Sequence, residues 1–182
     1  MALRNILREG EPTLRKRSRA VTDFNPRLHQ LIDDMRETLV NAGGAGLAAP
    51  QVGVLRAVAL VVDMEREAQD DSERIVELVN PEIVASSGEQ TGAEGCLSVP
   101  DLYGLVTRPD IVKVRARDRN GKPFEFTGKS VTARAICHEA DHLKGIMFTD
   151  IAQRYLSKEE LDEISRGEGD GEGHDGAERE EG

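Results

Sequence analysis

The strongest chemical signal in the chain is a run of five residues, His138-Glu139-Ala140-Asp141-His142. Residues four apart on a helix share a face, so His138 and His142 can direct two imidazole nitrogens at one metal ion. Two neutral ligands leave such an ion Lewis-acidic, and the Glu139 carboxylate beside the first ligand can take the proton of a water activated there. With 4 His and 20 Glu in 182 residues, this spacing arises by chance roughly 0.01 times per chain, so it is informative; the alternative is two exposed histidines on an ordinary helix. A catalytic site needs a third protein ligand and an open fourth position. The extended protease pattern would place that ligand at position 148, where Gly145 fits the pattern but the residue is Phe148. Glu159, Glu160 and Glu163 lie further downstream, on a short terminal segment where they read as solvated charges. Upstream, Cys96 in Glu94-Gly95-Cys96-Leu97-Ser98 would complete a Cys and two His set suited to Zn²⁺ or Fe²⁺. Taken alone, Cys96 reads more often as a small buried residue.

These residues must be carried by regular elements. Asn25-Pro26 has the form of an N-cap followed by Pro at the first helical position, and Leu28, Leu31, Ile32, Met35 and Leu39 recur at helical spacing until Gly43-Gly44. From Leu55 to about Phe126 the pattern is strand-like: AVALVV, IVELVNP, and VTRPDIVKVRARD, the last with the alternation of a half-buried strand. Asn120-Gly121 marks a hairpin turn before Pro123 to Thr127. A second helix is predicted from about Ser130 to Lys144, closed by Gly145, and it carries the histidine pair. Ser157 to Glu160 has capping-box spacing and opens a last short helix. Helix, strands, helix, helix without βαβ alternation indicates an α+β fold.

Composition narrows the class. The chain carries a net charge of −10, and residues 167–182, GEGDGEGHDGAEREEG, hold seven acidic and one basic group with six glycines and no Val, Ile, Leu, Met or aromatic residue. A segment so polar cannot bury enough apolar surface to offset the entropy of ordering it, so the expected organisation is a catalytic domain over 1–166 and a disordered acidic tail over 167–182. No apolar run approaches transmembrane length and the N-terminus lacks the apolar stretch of a signal peptide, which predicts a cytoplasmic protein. An acidic body argues against non-specific binding to nucleic acid or to an anionic membrane. Two cysteines, Cys96 and Cys137, are too few for a disulfide framework.

Three segments in order resemble the bacterial peptide deformylases: Gly44-Ala45-Gly46-Leu47-Ala48-Ala49-Pro50-Gln51, Glu94-Gly95-Cys96-Leu97-Ser98, and His138-Glu139-Ala140-Asp141-His142. The likeness extends to the opening helix and to Gly145 to Asp150, and so covers nearly all of residues 1–160. Its expected fold is α+β, with antiparallel or mixed sheets packed around a central helix that carries the HExxH motif, plus an N-terminal helix and a short C-terminal helix. The resemblance implies that Cys96, His138 and His142 bind one divalent metal, Fe²⁺ natively, with Zn²⁺, Ni²⁺ or Co²⁺ able to replace it. It implies Glu139 as general acid and base, with the Gln51 side-chain amide and the Leu97 backbone N–H holding the formyl oxygen as negative charge develops. Preorganised neutral donors of this kind stabilise a tetrahedral oxyanion. Ala45 and Gly46 are implied to admit a substrate backbone closely, although the same segment also reads as a Gly/Ala turn. Arg108 is implied to contact substrate, a surface salt bridge being the other reading.

The implied activity removes the N-formyl group from formyl-methionyl peptides and releases formate, with a deep apolar pocket for the methionine side chain and transient contact with the ribosome or nascent chain. A zinc endopeptidase of HExxH type is the alternative, and it would leave Cys96 dispensable; a third reading is a silent relative that binds metal or nascent chains without hydrolysis. Two positions depart from the family pattern. Ala45 is smaller than the Ile or Val common there, and Cys137 replaces a frequent Gln; lying about 100° around the helix from His138, Cys137 should point away from the metal and pack. Asp141 is a candidate to orient a ligand histidine, a solvent-exposed carboxylate being the other reading, and His29 and His174 read as surface and tail residues.

Overall fold

The structure, a computed structural model, describes residues 2–167; residues 168–182, nearly all of the acidic tail and with it His174, lie outside the described residues. Helix α1 runs Pro26–Ala42: the Asn25 side chain accepts the Leu28 N–H at 3.1 Å, and Gly43 ends the helix in the left-handed region at φ 67°. The strands are β1 (Gly46–Ala48), β2 (Val58–Val62), β3 (Ile75–Ser87), β4 (Gln90–Cys96), β5 (Val99–Arg108), β6 (Ile111–Arg117), β7 (Pro123–Lys129) and β8 (Arg154–Tyr155), with α2 (Ser130–His142) after β7 and α3 (Lys158–Arg166) last. Two antiparallel sheets form, one ordered β1-β2-β3-β6-β7 and one β4-β5-β8. The fold is therefore α+β, with both sheets antiparallel.

Packing follows from which faces are apolar. The stripe Leu28, Leu31, Ile32, Met35 and Leu39 of α1 buries against Leu47, Val58, Leu60 and Val62, while Ala133 and Ile136 of α2 bury against Val61, Leu78, Val112 and Val114. Strand β2 is thus covered on both faces, which is why VALVV is continuously apolar and wholly buried. A third cluster, Leu14, Val99, Val106, Met147 and Phe148, closes the small sheet. No described helix is long and apolar enough to cross a membrane.

Two segments differ from their sequence expectations, and a third forms a strand without a periodic signal of its own. VTRPDIVKVRARD is not one strand: Pro109 has no N–H to give to a ladder, and the chain leaves β5 at Arg108 and enters β6 of the other sheet at Ile111. The alternation belongs to β6 alone, where Val112, Val114 and Ala116 are buried. GAGLAAPQ forms edge strand β1, registered with Ala59 to Val61, followed by a 3₁₀ turn over Ala49–Val52. The Gly-rich segment of β4 lacks any alternating signal, yet it pairs with β5 as a hairpin whose tip carries Cys96 to Ser98. The Asn120-Gly121 turn and the Ser157 capping box of α3 form, whereas α2 ends at His142, two residues before the expected Lys144: its cap is Leu143 in the right-handed region, and Gly145 takes the left-handed region at φ 77° in the turn that follows.

The N-terminal segment is tied to α1 and then crosses two of the motifs. The buried Asp34 carboxylate accepts the Ala2 N–H at 2.9 Å, Arg4 Nε at 3.1 Å and Gln30 Nε2 at 2.7 Å. Further on, the Leu7 N–H donates to the Gln51 carbonyl and the Glu9 N–H to the Ser98 carbonyl. Burial pushes the Asp34 carboxyl up, but the hydrogen bonds from Gln30, the Ala2 N–H and Arg4 outweigh it and hold the pKa below the usual value. A depressed pKa adds stability that is present above the unfolded value, about 4, and is lost as pH falls through the folded one. Asp34→Ala should cost about 1–3 kcal/mol in urea unfolding at pH 7, and the difference from wild type should shrink below about pH 4. A difference that stays constant down to pH 3 would contradict this assignment.

Candidate metal centre and active site

On α2, residues 134, 138 and 142 share one face, and on β4, residues 92, 94 and 96 share the face turned toward it. The contacts pair them in order. His142 Nε2 lies 3.3 Å from Cys96 Sγ, and His138 Nδ1 lies 2.8 Å from Glu94 Oε2. Gly92 faces Arg134, its absent Cβ falling 3.4 Å from Nη2. Cys96, His138 and His142 offer ligand atoms that all lie within 4.8 Å of one another. The two Nε2 atoms are 3.1 Å apart, close to the separation of about 3.3 Å that metal–nitrogen bonds of about 2.0–2.1 Å give in a tetrahedron. Glu94 receives the Nδ1–H of His138, which leaves the Nε2 lone pair free to face the cluster. The residues present fit a tetrahedral divalent cation.

Burial and neighbouring charges move the two imidazoles in opposite directions. Burial lowers the His138 pKa, but hydrogen bonds to Cys96 and Glu94 and the charge of Glu139 raise it overall. Burial and the neighbouring His138 charge depress His142. Glu94 is buried, which pushes its carboxyl up, yet the His138 hydrogen bond and then Arg108 pull it down to about 2. Glu139 is buried beside β1, and that burial raises its pKa to about 7 against the attraction of His138. Its Oε2 has no hydrogen-bond partner among the described residues. Its Oε1 lies against Gly46, where an added Cβ would sit 2.5 Å away.

Gln51 is held in one orientation. Its Oε1 accepts the Ala48 N–H at 2.9 Å, so the amide NH₂ points the other way, to Ser98 Oγ at 3.2 Å and Cys96 Sγ at 3.5 Å. Leu97 lies between those two residues, its side chain against Gly44. Ala45 packs beside the second core cluster. Arg108, expected at the substrate, is buried, with Nε and Nη2 on Glu94 at 3.1 and 2.8 Å and Nη1 on Asp141 at 2.6 Å. Its salt bridges lie inside the protein and raise its pKa despite burial. Asp141 therefore reaches a ligand histidine only through Arg108 and Glu94. Cys137 is buried among Ala133 and Ile136, and burial pushes its thiol up. Glu160 and Glu163 line a surface cleft of about 330 Å³, Glu160 bonding Arg154, and Glu159 is exposed on the same short helix; none of the three belongs to the Cys96, His138 and His142 cluster. Sequence reasoning assigned no role to Glu94, Ser98 or Arg134; Glu94 was at least signalled by its place two residues before Cys96, on the same strand face.

An α+β fold with a Cys and two His cluster, a buried carboxylate beside it and an oriented amide defines a metallohydrolase of HExxH type. Residues 3–158 match the polypeptide deformylase family, and the chain belongs to that family. It is 46% identical over 164 residues to a peptide deformylase of Caldanaerobacter subterraneus subsp. tengcongensis, covering 90% of this chain and 98% of the relative. A crystal structure of a peptide deformylase from Legionella pneumophila superposes with a TM-score of 0.76 at 40% identity, covering 93% and 99% of the two chains. A class I type b peptide deformylase from Acinetobacter baumannii, bound to Met-Ala-Ser, superposes with a TM-score of 0.75 at 34% identity, covering 82% and 98%. Replacing Cys96 by Ala should leave the folded chain unable to retain a stoichiometric divalent metal through dialysis against a mild chelator, read by elemental analysis; full retention would remove Cys96 from the centre.

Proposed function

We propose that the chain hydrolyses the N-terminal formamide of formyl-methionyl polypeptides, releasing formate, with Cys96, His138 and His142 holding one divalent cation, natively Fe²⁺. The observation that carries the reading is the cluster of these three donors beside the free, buried Oε2 of Glu139. When bound, the cation supplies Lewis acidity that makes a coordinated water acidic near neutral pH. Glu139 Oε2 accepts the proton released there, and the same carboxyl returns it to the leaving amine; a buried carboxyl oxygen with no hydrogen-bond partner among the described residues is free for both transfers. The Gln51 NH₂ and the Leu97 N–H face the formyl oxygen as it gains charge. Arg108 works from beneath, fixing Glu94 and through it His138, rather than by touching substrate.

The substrate backbone adds along the outer edge of β1 at Ala45 and Gly46, an edge left unpaired in the order β1-β2-β3-β6-β7. Met-Ala-Ser is bound to the Acinetobacter relative, which supports a short methionyl peptide as ligand. Formylated termini are presented by chains leaving the ribosome, so cytoplasmic reaction with transient ribosome contact follows from the substrate. The folded catalytic domain spans 1–166, and the acidic tail contributes nothing to turnover.

Formate release from formyl-Met-Ala-Ser by anaerobically purified, Fe²⁺-loaded full chain tests the activity, and no release from wild type would refute it. Gln51→Ala should lower kcat about 10²–10³-fold. Gly46→Ala drives a methyl group into Glu139 and should cost about 100-fold, since displacement of a reacting group by about 1 Å suffices for that. Wild-type turnover by Gly46→Ala would contradict the placement of Glu139. Deleting residues 167–182 should leave kcat unchanged; a large loss would make the tail part of the enzyme.

A further inference from the structure

We propose that Arg134 is a positioning residue of the metal centre: it locks the Glu94 carboxylate that orients His138. The inference rests on the metallohydrolase reading above and adds a residue outside the three motifs. Each oxygen of Glu94 receives two N–H donors. Oε2 takes His138 Nδ1 and Arg108 Nη2, both at 2.8 Å, and Oε1 takes Arg108 Nε and Arg134 Nη1, both at 3.1 Å. Without Arg134, Oε1 keeps one donor, and the Glu94–Arg108 pair, whose two-point contact fixes the carboxylate only relative to that guanidinium, loses its tie through Arg134 to the Val106 carbonyl and can shift as a unit. His138 would then lose a fixed acceptor for Nδ1–H, and with it the direction in which Nε2 points.

Charge balance alone does not account for Arg134. Arg108 already makes a two-point pair with Glu94, and Asp141 is already answered by Arg108. What Arg134 adds is a brace: the same Nη1 also donates to the Val106 carbonyl of β5 at 2.9 Å, tying α2, β4 and β5 together at Glu94. The site is built to receive it. Arg134 lies one helical turn before His138 on the ligand face, and Gly92, lacking a side chain, leaves room for the guanidinium.

The test uses the full chain, stripped and reloaded with Co²⁺, with affinity read by competition against a chromophoric chelator and the site read by the visible cobalt spectrum. Arg134→Met, which keeps an unbranched apolar stem but has no donors, should weaken Co²⁺ about 10–100-fold. It should also shift the cobalt bands and lower kcat, leaving KM for formyl-Met-Ala-Ser within about twofold of wild type. Arg134→Lys, whose ammonium serves as a point donor rather than a fork, should fall between Met and wild type. A folded Arg134→Met with wild-type affinity and spectrum overturns the proposal. So does a raised KM at unchanged kcat and affinity, which would make the guanidinium a substrate contact. If Arg134→Met does not fold, Arg134→Lys decides, and wild-type affinity and spectrum there overturn the proposal. If wild type releases no formate yet the affinity losses appear, the positioning role stands and the proposed reaction falls.

Discussion

The chemistry of this chain depends on a match between two repeats. Four residues of helix rise about 6 Å, and two residues of strand rise about 6.6–6.8 Å. Laid side by side, α2 and β4 therefore present residues at nearly the same interval, and Cys96, Glu94 and Gly92 meet His142, His138 and Arg134 as three successive rungs. The thiol joins the imidazoles only because the strand runs alongside the helix in this register. A slip of one residue in β4 would turn Cys96 and Glu94 to the opposite face and dismantle the cluster. The middle rung bears most of the strain of burial, since a charged carboxylate is tolerated there only with every lone pair answered, and Glu94 has four N–H donors.

A second constraint meets the first at Glu139. Its side chain faces away from β4 toward β1, where only glycine at position 46 leaves space for it. Strand β1 and the 3₁₀ turn that follows carry Gln51, and the amide of Gln51 reaches back to Ser98 and Cys96 on the β4–β5 hairpin. The two sheets are thus joined across the site by a helix on one side and an amide on the other. The N-terminal segment reinforces the second junction, since its N–H groups bond the backbone of both Gln51 and Ser98. Anchoring that segment at Asp34 makes α1 a distant support for the amide.

Much of this was legible in the residues themselves. The apolar stripe and caps of α1, the histidine pair on α2 and the capping box of α3 are local signals, written within one element and independent of partners. Cys96 was recognisable as the third donor only alongside the other motifs, because the β4 segment is Gly-rich and carries no periodicity. Arg108 shows the limit most plainly: a charged residue at the end of a strand reads as exposed, and only the tertiary arrangement reveals the two carboxylates that allow it to be buried. Arg134 is silent for the same reason, and Glu94 is signalled only by its place two residues before Cys96. The break at Pro109 was available from proline's missing N–H, but the flanking alternation concealed a change of sheet.

The central claim is that the third protein ligand is a strand thiolate brought into register with the helical histidines. X-ray absorption at the metal edge of the Fe²⁺- or Zn²⁺-loaded full chain tests this most directly. The account predicts one sulfur scatterer at about 2.3 Å with two imidazole nitrogens at about 2.0–2.1 Å, and loss of the sulfur shell in Cys96→Ser. A shell of nitrogen and oxygen alone in the wild type, with a carboxylate in place of sulfur, would contradict it.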